Sequence, residues 1–322
     1  MARTTMRAAR IREPGSIAIE EVPIPTPGRS QVRLTVEGTG VCASNLGPWG
    51  GLPWLHYPLG PGEGGHEAWG RVDAVGPGVD PGWVGKRVAA LSGSAFAEHD
   101  VADVEGLVEL PPSLEGQPFP AEPFACAMNI FRRSDVQEGQ TVAVVGVGFL
   151  GAILVRLAKR AGAHVIAISR RPFARDLARR MGADETIALD EHHAILAEVG
   201  ALTEGRFCDR VIECVGAQWP LDLSAELTRV RGRLVIAGYH QDGSRSVNMQ
   251  LWNWRGLDVV NAHEREPAVY VRGMREAIAR VEDGTIDPAL LLTHRMPLER
   301  LGDALNATLE RPDGFVKALV VP

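Results

Sequence analysis

Apolar and polar residues alternate with a period of two over short stretches early in the chain, as in residues 31–37, QVRLTVE, and turn clusters such as PTPG, GPGVDPG and ELPP separate these stretches. Up to about Leu110 the pattern predicts an irregular, mostly β region. From Thr141 the grammar changes to near-continuous apolar runs, at residues 141–145, 164–168, 185–189, 209–215, 233–238 and 257–262, separated by segments of helical period. The clearest of these places Leu150, Ile153, Leu154, Leu157, Ala158 and Ala161 on one helix face. Six apolar strands with intervening helices predict an α/β fold, a doubly wound parallel sheet. A further helix is expected over residues 269–281, and the tail, ending in the strand VKALVVP, is expected to rejoin the first region. No solenoid repeat or low-complexity segment is visible.

At 322 residues the chain exceeds what one core usually organises, so two domains are expected. A formal charge of −6, with both signs interspersed, leaves no basic stripe for a nucleic acid and points to small-molecule ligands. Basic residues in MARTTMRAARIREPG are followed by no apolar segment, which gives no secretory signal and makes the cytoplasm the expected location. The uncharged apolar run at residues 141–155 is shorter than the ~20 residues of a spanning helix, so no membrane association is expected. Cys42, Cys126, Cys208 and Cys214 are too dispersed for a disulfide framework, and Cys208 and Cys214 read as small buried hydrophobes.

Gly146-Val147-Gly148-Phe149-Leu150-Gly151 follows an apolar strand and opens a helix. There the glycines allow a tight turn and let backbone N–H groups approach a pyrophosphate. About twenty residues on, where an NAD enzyme usually carries an acid, the chain reads Ser169-Arg170-Arg171. A small hydroxyl with two guanidiniums suits a 2′-phosphate, so NADP(H) is expected over NAD(H).

Three other residues carry metal chemistry. Cys42 as thiolate, His66 through a ring nitrogen and Glu122 as carboxylate would give zinc a mixed site with one open position. Cys126 is a weaker alternative to Glu122.

The blocks MRAARIREPG, VCASN, GGHEAWGRVDAVGPGV, AEPFAC, VVGVGFLG, MGAD, GRLVIAG and KALVVP together resemble the medium-chain, zinc-dependent alcohol and polyol dehydrogenases nearly end to end. The resemblance implies a GroES-like, mostly β catalytic domain from residues 1–126 and 263–322, and a Rossmann domain from residues 127–262. It implies one catalytic zinc held by Cys42, His66 and Glu122, with Glu67 able to reach the metal, and Ser44 as the start of a proton relay. It also implies a cofactor-binding set of Gly146, Gly148, Phe149, Leu150, Ser169, Arg170, Arg171, Cys214, Val215, Gly238, Tyr239 and Lys317, the last supporting the pyrophosphate. Tyr239, His240, Asn261, His263 and Glu264 are placed to contact nicotinamide or substrate, a polar rim that suits a polyol, sugar-like or cyclitol substrate.

The sequence departs from that family at three places. Asn45 stands where an acid is usual, which removes a charge that would tune a ligand and suggests weaker zinc binding. Gly47 stands where many members have a relay histidine, leaving His56 as a substitute candidate, and Glu63 lies in a turn before His66. No four-cysteine cluster follows Arg87, so no structural zinc is expected, and a homodimer formed through the Rossmann half is the expected assembly. The function expected is hydride transfer between NAD(P)(H) and a secondary alcohol or ketone. The alternatives are a zinc-free NADPH quinone or enoyl reductase and a non-catalytic NADPH-binding protein.

Overall fold

A computed structural model describes residues 3–322. Among them the chain forms fifteen strands and divides into two compact units. One comprises the residues up to Ala125 together with Glu266–Pro322, and the other is Cys126–Arg265.

In the first unit, β1 (Thr5–Glu13) and β2 (Ser16–Pro23) form an antiparallel hairpin. A second sheet contains β3 (Gln31–Gly40), β4 (Glu67–Val75), β5 (Arg87–Leu91), β6 (His99–Asp103), β7 (Leu107–Glu109), β14 (His294–Pro297) and β15 (Ala318–Val321). Its order is β14-β15-β3-β4-β5-β7, with β6 also paired to β3. The period of two in β3 buries Val32, Leu34 and Val36. The first two pack with Val72, Val88, Ala90, Ala102 and Leu107. The tail does rejoin this unit, since β15 pairs antiparallel with β3 through Leu319 opposite Gly40.

The second unit holds β8 (Thr141–Val145), β9 (His164–Ser169), β10 (Glu185–Ala188), β11 (Cys208–Glu213), β12 (Thr228–Ile236) and β13 (Asp258–Asn261). All pairs are parallel and the order is β10-β9-β8-β11-β12-β13, the doubly wound arrangement of a Rossmann sheet. Strands buried on both faces read as continuous apolar runs, which is why their positions were visible in the sequence. The helix Phe149–Arg160 buries Ile153, Leu154, Leu157 and Ala158 as its periodicity requires.

Two boundaries differ from expectation. β11 stops at Glu213 because that side chain accepts the N–H groups of Val215 and Gly216 and turns the chain out of the sheet. β12 begins at Thr228 rather than at 233, with a register break and Arg231 at φ 56° before regular pairing resumes at Arg233. Trp252 packs against the core of this unit, whereas Trp254 is 87% exposed. No helix among the described residues is long and apolar enough to cross a membrane.

Candidate metal and nucleotide sites

In the antiparallel pairing of β3 with β4, Thr39 lies opposite Ala68. The chain leaving β3 therefore meets the chain entering β4, and Cys42 comes beside His66 and Glu67. One donor atom from each of these three residues lies within 4.8 Å of the other two. Lys317, just before β15, arrives at the same place because β15 runs along β3.

Each member is held from behind. His66 Nδ1 lies 2.8 Å from the Gly64 carbonyl, and a carbonyl can only accept, so Nδ1 carries a proton and Nε2 is the nitrogen available to a metal. The same carbonyl accepts from Asn45 Nδ2 at 2.9 Å, while Asn45 Oδ1 accepts from the Cys42 backbone N–H at 2.9 Å. Asn45 thus ties the cysteine turn to the histidine strand. Glu67 is fully buried and its carboxylate meets Lys317 Nζ at 2.9 and 2.7 Å. Lys317 also donates to the Val41 carbonyl at 3.3 Å. Glu67 Oε2 makes only the ion-pair contact and accepts no hydrogen bond, which leaves a buried oxygen with a free lone pair.

The electrostatics of the cluster are those of a cation site. Burial by itself would lower the His66 pKa, but the hydrogen bond and charge of Cys42, with the charges of Glu67 and Glu122, outweigh it and push the imidazole up to about 10. Lys317 is raised in the same way, against its burial, by Glu67, Cys42 and Glu122. A bound cation would displace the second imidazole proton, and His66 Nε2 with a soft sulfur and an oxygen without a hydrogen bond then forms a donor set that fits zinc.

Glu122 lies in the first turn of the helix Ala121–Ser134. Its charge reaches His66 and Lys317, but its oxygens are not among the converging donors. Of the four residues expected at the metal, Cys42, His66 and Glu67 present the donors that converge here. Lys317, expected to support the pyrophosphate, has its buried ammonium on the Glu67 carboxylate.

Ser44 lies in the turn Ala43–Asn45, half-buried, and its backbone N–H reaches Cys42 Sγ at 3.5 Å. Its hydroxyl makes no hydrogen bond to the described residues. Gly47 lies in the short helix Leu46–Gly50, and His56 is exposed in a loop. Glu63 accepts the Gly60 N–H at 2.6 Å and so serves its own turn.

In the second unit, Gly146 takes φ +95°, and a side chain on Gly151 would come within 2.1 Å of the Gly146 carbonyl oxygen. Both glycines are dictated by the tight passage from β8 into the helix, whose N-terminal cap is Gly148. Phe149 and Leu150 form the first turn of that helix, where N–H groups lack intrahelical partners and suit an anion. Ser169 is buried at the end of β9, Arg170 is exposed, and Arg171 caps the helix Pro172–Met181. Arg175 reaches back to the Ser169 and Arg170 carbonyls at 3.0 and 2.9 Å and fixes their loop.

Cys214 and Val215 follow β11, where Cys214 N–H bonds the Val145 carbonyl at 2.8 Å, next to the glycine turn. The Cys214 thiol is pushed well up by burial and by the Glu213 charge, so it is inert as a nucleophile or ligand. Gly238 and Tyr239 follow β12; His263 Nε2 lies 3.1 Å from the Gly238 carbonyl, and the Tyr239 and His263 rings are 5.4 Å apart. Asn261 accepts the His263 N–H at 3.1 Å, and Glu264 accepts the N–H of Arg265 at 2.7 Å. His240 instead turns inward to Glu213, at 3.1 Å. Sequence reasoning missed Asn45 as a brace, Arg175 and Glu213. None of these roles left a signal in the local sequence, since each depends on a partner that only the fold brings near.

A Rossmann unit with a glycine-rich turn and a mostly β unit with a sulfur, nitrogen and oxygen donor cluster, carried on one chain, define a nucleotide-dependent, metal-assisted dehydrogenase. Residues 28–111 match the alcohol dehydrogenase GroES-like domain, and residues 150–279 match the zinc-binding dehydrogenase domain. The chain is 27% identical to a sorbitol dehydrogenase of Halalkalibacterium halodurans over 96% of each chain. It is also 27% identical to an (R,R)-butanediol dehydrogenase of Neisseria gonorrhoeae, over 98% of this chain and 99% of that one. A solved structure from Sinorhizobium meliloti 1021, described as a zinc-binding dehydrogenase bound to NADP, superposes with a TM-score of 0.86 at 26% identity, over 99% of this chain and 100% of that one. The chain belongs to the zinc-dependent alcohol and polyol dehydrogenases of the medium-chain dehydrogenase/reductase family.

Proposed function

We propose that the protein is an NAD(P)-dependent alcohol dehydrogenase that interconverts a secondary alcohol and its ketone, with a polyol as the substrate class. The observation that carries this reading is the convergence of Cys42, His66 and Glu67 donors, with His66 held so that Nε2 faces away from Gly64. Zinc bound there would supply Lewis acidity toward the substrate oxygen, and the nicotinamide would exchange the hydride.

The chain's own residues do the rest. Cys42 and His66 hold the ion, Glu67 offers the oxygen that Lys317 leaves without a hydrogen bond, and Glu122 adds negative charge that favours a cation. The free hydroxyl of Ser44, two residues from Cys42, is placed to take the alcohol proton and pass it to solvent. The glycine turn and helix Phe149–Arg160 receive the pyrophosphate. Ser169, Arg170 and Arg171 favour NADP(H), since no carboxylate there repels a 2′-phosphate. The names of the sorbitol and butanediol dehydrogenase relatives support vicinal hydroxyls on the substrate. We further assign the protein to the cytoplasm, consistent with its four free cysteines, and to a homodimer, supported by the exposed Trp254 and by the open edge of the sheet at β13.

Metal analysis and steady-state assays on a panel of polyols and alcohols test the reading. About one zinc per chain with turnover is expected, and a zinc-free preparation or absence of turnover with both cofactors overturns it. Ser169→Asp is expected to move the cofactor preference, measured as the ratio of kcat/KM values, toward NAD(H) by about tenfold or more.

A further inference from the structure

β11 ends on Glu213, whose side chain is fully buried. Oε1 accepts the N–H groups of Val215 and Gly216 at 2.6 and 2.8 Å. Oε2 lies 3.1 Å from Nε2 of His240, in the loop that follows β12. On the other side of the ring, Arg245 Nε donates to His240 Nδ1 at 2.9 Å. A guanidinium can only donate, so Nδ1 is the acceptor, the ring is neutral, and its one proton sits on Nε2 and is given to Glu213. A carboxylate, a neutral imidazole and a guanidinium thus run in line from one loop to the next.

Other bonds close the same two loops on each other. Arg245 Nη2 donates to the Gly216 carbonyl at 3.1 Å and pairs with Asp242. Gln218 exchanges two hydrogen bonds with Ser246, at 2.8 and 3.0 Å. A side chain at Gly238 would fall 2.2 Å from the Gly216 nitrogen and 2.6 Å from Glu213 Oε2, so the loops touch backbone to backbone. A fully buried carboxylate is costly unless its partners are all in place, and backbone hydrogen bonds alone would suffice to end a strand. Both loops leave the carboxyl ends of neighbouring parallel strands, the edge at which doubly wound sheets bind ligands.

We infer that Glu213, His240 and Arg245 are positioning residues that lock loops 214–218 and 238–246 in the shape that receives the nicotinamide half of the cofactor. This rests on reading Cys126–Arg265 as the cofactor-binding unit. The lock is paid for in the folded protein, so the cofactor meets loops already ordered and keeps that part of its binding free energy. Without it, cofactor affinity falls while the chemistry of the bound complex changes little.

The test is NADPH and NADH binding by fluorescence titration, with KM and kcat, on the full chain and three variants. His240→Ala and Arg245→Met are expected to weaken cofactor binding and raise the cofactor KM by about tenfold, with kcat nearly unchanged. His240→Gln, whose amide can both donate to Glu213 and accept from Arg245, is expected to recover most of the affinity. Arg245→Met, which keeps most of the side chain's length and volume, serves as the second probe if His240→Ala does not fold. Folded variants that bind cofactor like the natural chain overturn the inference, as does an equal fall of kcat in His240→Ala and His240→Gln. A natural chain that binds neither nucleotide overturns the cofactor reading itself, and this inference with it.

Discussion

Asn45 takes the place of an acid, and its amide makes two bonds that a carboxylate cannot make together, accepting from Cys42 N–H and donating to the Gly64 carbonyl. That carbonyl also receives His66 Nδ1, so one neutral side chain sets the orientation of two donors. The expectation of weaker zinc binding treated the amide as a lost charge; here it is a brace. Asn45→Asp is therefore expected to weaken zinc by about tenfold or more, because the Gly64 carbonyl would face a carboxylate instead of a donor. Competition against a chelator of known affinity reads this directly, and tighter binding by the variant would restore the charge argument. Cys42 and His66 were legible because their neighbours in sequence mark them. The pairing of Lys317 with Glu67 was not legible because the two lie 250 residues apart, and nothing near Lys317 in sequence indicates a buried carboxylate. Glu213 and His240 were illegible for the same reason: an acid ending a strand looks solvent-facing until the next loop folds over it.

Strands show the same division. The apolar runs of β8 and β9 announced themselves because both faces are covered, whereas the start of β12 was hidden by a polar stretch that interrupts its register. β1 is held at its polar positions. Glu98 accepts the Arg7 backbone N–H at 2.8 Å and Arg7 Nε at 2.9 Å, and Arg3 lies 3.0 Å away. Burial tends to raise the Glu98 pKa, but these donors outweigh it and hold the carboxyl below its ordinary value of 4.5. A depressed folded value means the stabilisation is complete above the unfolded pKa and is lost as pH falls through the folded one. Glu98→Gln is expected to cost about 2 kcal/mol at neutral pH. In denaturant titrations the gap between natural chain and variant should narrow below pH 4.5; a gap independent of pH would show that the charge is not what holds β1.

At the scale of the whole chain, the donor cluster belongs to one compact unit and the glycine turn to the other. Loss of one function should then leave the other intact. Cys42→Ala is expected to lose zinc and turnover while NADPH affinity, by fluorescence titration, stays that of the natural chain. Retained turnover would remove Cys42 from the chemistry, and lost nucleotide binding would show that the units do not act separately. The fold class was the most legible level, since six apolar strands at helical spacing admit few topologies.

The Glu67–Lys317 pair has a consequence for how the protein is made. Glu67 is translated early, yet the ammonium that neutralises it emerges 250 residues later, on the segment that adds β15 to β3. Until then the buried carboxylate has no counter-charge, and closing so long a separation is slow. A ribosome-bound chain short of its last strand therefore carries Cys42 and His66 but no settled third donor. A chain cut before Lys317 is therefore expected to retain less zinc than the full chain, read by metal analysis of the two purified proteins.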